Sequence, residues 1–564
     1  MESQTRVWRG AAFGSLFTLT VAIAASCSNE SDPSKVLGTG GGAAGSASMT
    51  GGAARGGVLL DLEGGAPSGD GEDGGPPLPL IDDFPILPVF SDGARPNAGD
   101  AYQNATESGA GPCVISPEPG TLYPKNWLRP RISVKAKPSH NSFQVTVSTA
   151  RFLHPLVIYS TKPSVTLDAK LWEGLRNTVV DETILVSVRS AALDASGKVT
   201  DGPSAASESS FTIAPVAAPG KIVYWSLPKD DKGAGLIRGF GIGEEGVVDV
   251  LKPAQVDARN HQAKCIGCHA ATPDGDAVAF SVGPSGYTAS IASIAEPTVG
   301  AVPPEVSASA LETISGLHGV PAFSKAHWSA NERTMLLSDT GTLHWVDVGS
   351  NQTGELQRTG DERAATVPSW SHDGEHIVYT SAAGLADGRP EHGPMDLRVV
   401  PYAAGLGGVS TKLEGASDAA FNEYYPAYSP DDAYVAFSRV PDGQASYDSS
   451  AAEVFVVPAS GGAAKRLNAN DAPACAKQAS PGLTNSWPKW SPRAQAFRGK
   501  TYYFLTFSSR RLGTPQLFVT TLVDDGHSLT TYPALYLWNQ PADEGNHTPD
   551  WEEVNIPSVP NGPK

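Results

Sequence analysis

Cysteine is scarce in this sequence, five residues in 564. No second ligand pair stands at zinc-knuckle spacing from any of them, which excludes the common small zinc sites. Basic clusters are missing too, and the formal charge is −18. That balance argues against nucleic acid or an anionic membrane surface as partner. Gly-x-Ser-x-Gly, His-Glu-x-x-His, the phosphate-binding loop and the dinucleotide fingerprint do not occur, so those hydrolase, metalloprotease and nucleotide chemistries drop out. The apolar stretch from Ala11 to Ala25 is broken by Gly14, Ser15 and threonines. It is too short and too weakly apolar for a membrane span.

What that stretch does fit is an export signal. Arg6 and Arg9 precede it, and Ala24-Ala25-Ser26-Cys27 follows. A basic start, an apolar middle and small residues before the cut describe a secretory signal over residues 1–26. The cysteine after small residues resembles the bacterial lipobox, in which it is diacylated and becomes the mature N-terminus; Ala24 stands where leucine is usual. The alternative is an ordinary signal peptide beside an incidental cysteine. Either way an exported protein is expected, and with Cys27 lipidated, an outer-membrane lipoprotein facing the periplasm or the cell surface.

The scarce cysteines include one informative group, Cys265-Ile266-Gly267-Cys268-His269. Two thiols at this spacing can add to the two vinyl groups of one porphyrin, and the next histidine supplies a proximal ligand to iron. One covalent haem c is expected, attached through Cys265 and Cys268 with His269 on the metal. The competing readings are an accidental disulfide pair or half a zinc site. With Cys27 assigned to lipid, Cys113 and Cys475 remain as an even pair in an oxidising compartment, where a disulfide is expected.

Composition divides the rest. Residues 27–112 carry runs such as Gly38-Thr-Gly-Gly-Gly-Ala-Ala and lack the bulky apolar residues that offset ordering entropy. They read as a flexible tether with a reach on the order of 50 Å. Residues 113–219 alternate apolar and polar at Ile132 and Val134, at Phe143, Val145 and Val147, at Ile184, Val186 and Val188, and at Phe211 and Ile213. Period two with turn residues between predicts short half-buried strands, and about a hundred residues of them fit a β-sandwich of immunoglobulin or fibronectin III type.

Residues 220–564 contain a repeat. Val367-Pro-Ser-Trp-Ser-His-Asp-Gly aligns with Tyr425-Pro-Ala-Tyr-Ser-Pro-Asp-Asp, with Trp487-Pro-Lys-Trp-Ser-Pro, and with Ala326-His-Trp-Ser. The haem segment joins the frame through Ala271-Thr-Pro-Asp-Gly, and Thr548-Pro-Asp-Trp completes it. The frame positions are then 271, 328, 370, 428, 490 and 551. Repeats of this length holding several strands predict propeller blades. The pattern resembles the TolB-type, WD40-like repeat, and the resemblance implies an all-β fold: a six-bladed β-propeller preceded by the sandwich, with seven or eight blades as the alternative. The last copy has almost no chain after it, so Ile222-Val-Tyr-Trp-Ser and Leu236-Ile-Arg-Gly-Phe are expected to complete its blade. The resemblance is specific for fold and weak for function. TolB carries no haem and has an α/β N-terminal domain, so its partners do not transfer.

In this frame His269 takes the slot that Pro368 and Pro426 fill elsewhere, in a loop leading into an innermost strand. His547 leads as distal ligand, His327 is second, and His261, His318 and Met395 are further candidates; an open distal site is the alternative. The aromatic run Tyr532 to Gln540 is a candidate wall for the porphyrin. Three functions follow. The leading one is a monomeric electron-transfer lipoprotein that uses the propeller as a scaffold to dock a redox partner. A second is a TolB-like binding or scaffold protein of the envelope. The third is a haem oxidoreductase acting at the propeller face. Transfer or binding is favoured over catalysis.

Overall fold

The computed structural model describes residues 80–103, 106–229, 234–256, 265–283, 288–386, 389–390 and 393–558. The protein is mostly β, 45% strand against 8% helix. Among the described residues no helix is long and apolar enough to cross a membrane.

The first unit holds a seven-stranded sheet and a three-stranded sheet. The alternating residues form its interior: Ile132, Val147, Ile184, Val188, Phe211 and Ile213 are at most 1% exposed. One helix, Ala169–Thr178, starts at Asp168, whose carboxylate accepts from the Lys170 and Leu171 N–H groups, and it buries Trp172 and Leu175. The tether ends earlier than its composition implies. Val89–Phe90 pairs in parallel with Ile158 and Tyr159, and Phe84, Ala98, Ala101 and Tyr102 are buried. These apolar residues follow a long Gly-rich run, and averaging across both hides them.

The second unit is mainly a succession of antiparallel sheets in chain order. Each begins with what we call its inner strand: Cys265–Ala271, Pro321–Ala322, Ala364–Trp370, Phe421–Tyr428 and Ser486–Trp490. A sixth, Gly545–Glu552, pairs antiparallel with Lys221–Leu227, joining the end of the unit to its beginning. Behind an inner strand a short turn recurs. The Ser371 hydroxyl donates to Asp373 at 2.6 Å and accepts from the His376 N–H at 2.9 Å, and Gly374 takes φ +80°. Ser429 and Thr272 repeat the hydroxyl contacts. The Ser/Thr-x-Asp signature of the repeat therefore closes a turn.

One repeat is displaced from its expected frame. Trp328 lies in a two-residue strand against Arg333, and the inner strand of that sheet is Pro321–Ala322, which puts Phe323 in the aromatic slot. Val320-Pro-Ala-Phe-Ser is the true copy; Ala326-His-Trp-Ser imitates it one turn later. The run Tyr532 to Gln540 also differs from its expected role, because it covers the first unit. Leu537 is fully buried in a core shared by both units. The Trp538 indole N–H donates to the Arg129 carbonyl at 2.9 Å, with the Arg131 guanidinium 3.9 Å from its ring. A disulfide joins Cys113 to Cys475, with Cα atoms 5.4 Å apart. Arg511 of the second unit meets Glu118 of the first at 3.1 Å.

Candidate functional site

Five of the six inner strands are bulged at one shared position. Register shifts fall at Gly267/Ala270, Thr366/Ser369, Tyr424/Ala427 and Ser486/Lys489, and opposite Tyr224/Trp225 in the last strand. At each shift a non-glycine residue takes positive φ: Cys268 (39°), Val367 (46°), Tyr425 (54°), Trp487 (58°) and Thr548 (47°). The next residue is Pro368, Pro426, Pro488 or Pro549, and in the first sheet His269. Proline suits a bulge because that position is released from the ladder. The Cys-His pair is thus built into an inner strand, not into a loop before it.

The consequence for His269 is burial. It is 6% exposed, and neither ring nitrogen has a hydrogen-bond partner. Desolvation lowers its pKa to about 4; the Asp550 charge and the Val223 carbonyl, which falls short of hydrogen-bond geometry, pull the other way. The imidazole is therefore neutral at physiological pH. Cys268 is half-buried and Cys265 is 1% exposed. Cys27 and His261 lie outside the described residues.

The distal candidates separate. His547 sits edge-on to Trp225, ring centroids 4.5 Å apart. Trp225 and the Cys265 sulfur both press on Gly235, where an added Cβ would lie 2.4 Å from the indole nitrogen and 2.6 Å from the sulfur. His547, Trp225 and Cys265 thus gather at the start of the first and last inner strands. His327 is committed elsewhere: it stacks on Trp370 at 4.8 Å, its Nδ1 is 2.7 Å from Glu332, and its Nε2 is 3.1 Å from the Gly374 carbonyl. His318 Nδ1 is 3.1 Å from Asp339, and Met395 is fully buried.

At the other end of the inner strands lies a cavity of ≈ 270 Å³ that the sequence reading did not anticipate. All six inner strands or their turns line it, through Ala271, Phe323, Trp370, Tyr428, Trp490 and Glu552. Lys325, Lys489, Arg493, Asp550 and Glu553 add charge to its wall. Asp550 accepts from the Ala271 N–H at 2.7 Å and stands 4.0 Å from Lys489, while Arg493 pairs with Glu553 at 2.9 Å. Removal from water, reinforced by the Asp550 charge, pushes the Glu552 pKa up to about 8. A signal for this site does exist in the repeat. Where other copies follow the aromatic with Ser371, Ser429 or Ser491, the last has Glu552.

No family model matches this sequence, and no curated protein does. Among solved structures, TolB from Acinetobacter baumannii is 14% identical with a TM-score of 0.36, over 65% of this chain and 79% of that one. A putative TolB from Agrobacterium tumefaciens is 13% identical with a TM-score of 0.32, over 59% and 98%. Hydrazine synthase from Kuenenia stuttgartiensis is 14% identical with a TM-score of 0.26, over 58% and 73%. The chain has distant structural similarity to TolB-like β-propeller proteins. At these scores the likeness concerns fold type and says nothing about ligand or partner.

Proposed function

We propose that this chain is an exported, lipid-anchored binding protein: a six-bladed β-propeller with a β-sandwich fixed to it, recognising its ligand at the central cavity. The observation that carries this reading is the convergence of all six inner strands on one concave site. Pairing of Gly545–Glu552 with Lys221–Leu227 supports a ring closed by its two ends. The test uses three small aromatic probes of different charge: benzoate, benzylamine and benzyl alcohol. Hydrogen exchange on the mature protein should show protection by at least one of them, confined to residues 321–325, 368–372, 489–493 and 550–553. Protection elsewhere only, or none, removes the cavity from the proposal.

A second reading retains the haem, because His269 is a buried neutral imidazole with both nitrogens unpartnered. Cys265 and Cys268 would hold the porphyrin and His269 its iron: two cysteines followed by a buried imidazole are the donor set such a group takes. Bound there, the group would supply one-electron transfer, with this chain keeping the imidazole neutral and dry. Expression beside c-type maturation machinery should then give sharp reduced-minus-oxidised bands and haem that survives denaturation. A colourless folded protein would refute this reading and leave the binding protein.

A further inference from the structure

We propose that the central cavity is selective for an organic carboxylate, a carboxylate group carried on an apolar body of small-molecule size; this rests on the cavity being the recognition site. Its wall offers both halves of such a ligand. Phe323, Trp370, Tyr428 and Trp490 form the apolar part. Their indoles are not spare donors, since Trp370 gives its N–H to the Gly374 carbonyl and Trp490 to the Ala427 carbonyl. The polar part is cationic in balance. Arg493 and Glu553 neutralise one another. His372 lines the cavity but is held by Asp432 at 2.9 Å, and Asp550 is met by Lys489 and the Ala271 N–H. Lys325 lines the same cavity, and among the described residues no carboxylate pairs with it.

Glu552 decides the sign. The groups facing it are Asp550 and Glu553 on its own strand, Lys489 from the neighbouring inner strand, and Lys325 from the turn beyond Phe323. While Glu552 holds its proton it is a neutral donor, and the Lys325 charge is left over for a ligand. Once it ionises, its charge cancels that surplus and repels an incoming carboxylate. With the Glu552 pKa pushed up to about 8, carboxylate binding should weaken as pH rises through that value.

Isothermal titration of the mature protein with benzoate tests this, with benzylamine and benzyl alcohol as comparators. Benzoate should bind about tenfold more weakly at pH 9 than at pH 7, the size of one unscreened charge interaction worth about one pKa unit. Glu552→Gln, a neutral donor at every pH, should flatten the pH profile. Lys325→Ala removes an exposed side chain that makes no described hydrogen bond or ion pair, so it should fold normally and weaken benzoate severalfold at pH 7. A pH slope that survives in Glu552→Gln, or full affinity in Lys325→Ala, overturns the assignment. If benzylamine or benzyl alcohol protects the cavity and benzoate does not bind, carboxylate selectivity fails while the recognition site stands. If none of the three binds, both fail.

Discussion

A chain stopped after Asp543 is expected to lose cooperative folding of the second unit. The missing segment is the inner strand Gly545–Glu552, which pairs along the whole length of Lys221–Leu227. Trp551 is fully buried, gives its indole N–H to the Pro219 carbonyl at 2.8 Å, and packs 6.4 Å from Phe504. Losing a buried tryptophan alone costs about 3–5 kcal/mol. The truncation also uncovers Ile222, Val223 and Tyr224, all 0% exposed. It further removes the Asp550 carboxylate that accepts from the Ala271 N–H and the Ile556 carbonyl that accepts from Lys221. The tryptophan alone is a large fraction of the roughly 5–15 kcal/mol by which domains are stable, and the other losses add to it. A bare Lys221–Leu227 edge would then be a template for aggregation. Thermal melts followed by circular dichroism check this, with Trp551→Ala as the milder variant. A truncated chain melting within a few degrees of the intact one would show that the junction does not hold the fold.

How much of this was legible in the sequence depends on the residue scale considered. Period-two burial in the first unit could be read directly, because a half-buried strand imposes it residue by residue. The repeat could be read as well: its hydroxyl, aspartate and glycine close one turn, and that turn admits few other side chains. The misreadings share a cause, which is local similarity without the long-range pairing that decides between copies. Ala326-His-Trp-Ser looks as good as Val320-Pro-Ala-Phe-Ser until pairing with Leu336 and Leu337 selects the latter. The aromatic run at Tyr532 is equally suited to a cofactor or to a neighbouring domain, and only the tertiary fold brings Arg129 and Arg131 onto Trp538. The Cys-x-x-Cys-His group reads as a loop leading into an innermost strand, yet its last two residues occupy a bulge within that strand that proline occupies elsewhere. The cavity escaped because its residues are spread from Ala270 to Glu553, two to five per repeat. Glu552 and Lys489 are departures from the repeat, and departures mean little until the fold brings them to one wall.

Arg511→Ala should be nearly as damaging, costing about 3–5 kcal/mol, because it leaves a buried carboxylate without its counter-ion. Arg511 is 5% exposed and Glu118 8%. The guanidinium donates to Glu118 and to the Asp471 carbonyl, each at 3.1 Å, to the Ala469 carbonyl at 2.6 Å and to the Ser509 hydroxyl at 3.1 Å. It also lies 4.6 Å from the Phe518 ring. Burial raises the Glu118 pKa to about 7 despite this partner. The folded state therefore holds that proton more tightly than the unfolded chain, whose carboxyl titrates near 4.5. Stability from this group is fully present below pH 4.5 and lost as pH rises through 7. Removing Arg511 raises the folded pKa further and deepens the loss at neutral pH. The variant's deficit should accordingly be larger at pH 8 than at pH 5, and adding Glu118→Gln should restore most of the difference. Urea denaturation under oxidising conditions, which keeps the Cys113–Cys475 link, measures it. Equal deficits at the two pH values would show that Arg511 stabilises the junction through its carbonyl contacts and packing, and not by neutralising Glu118.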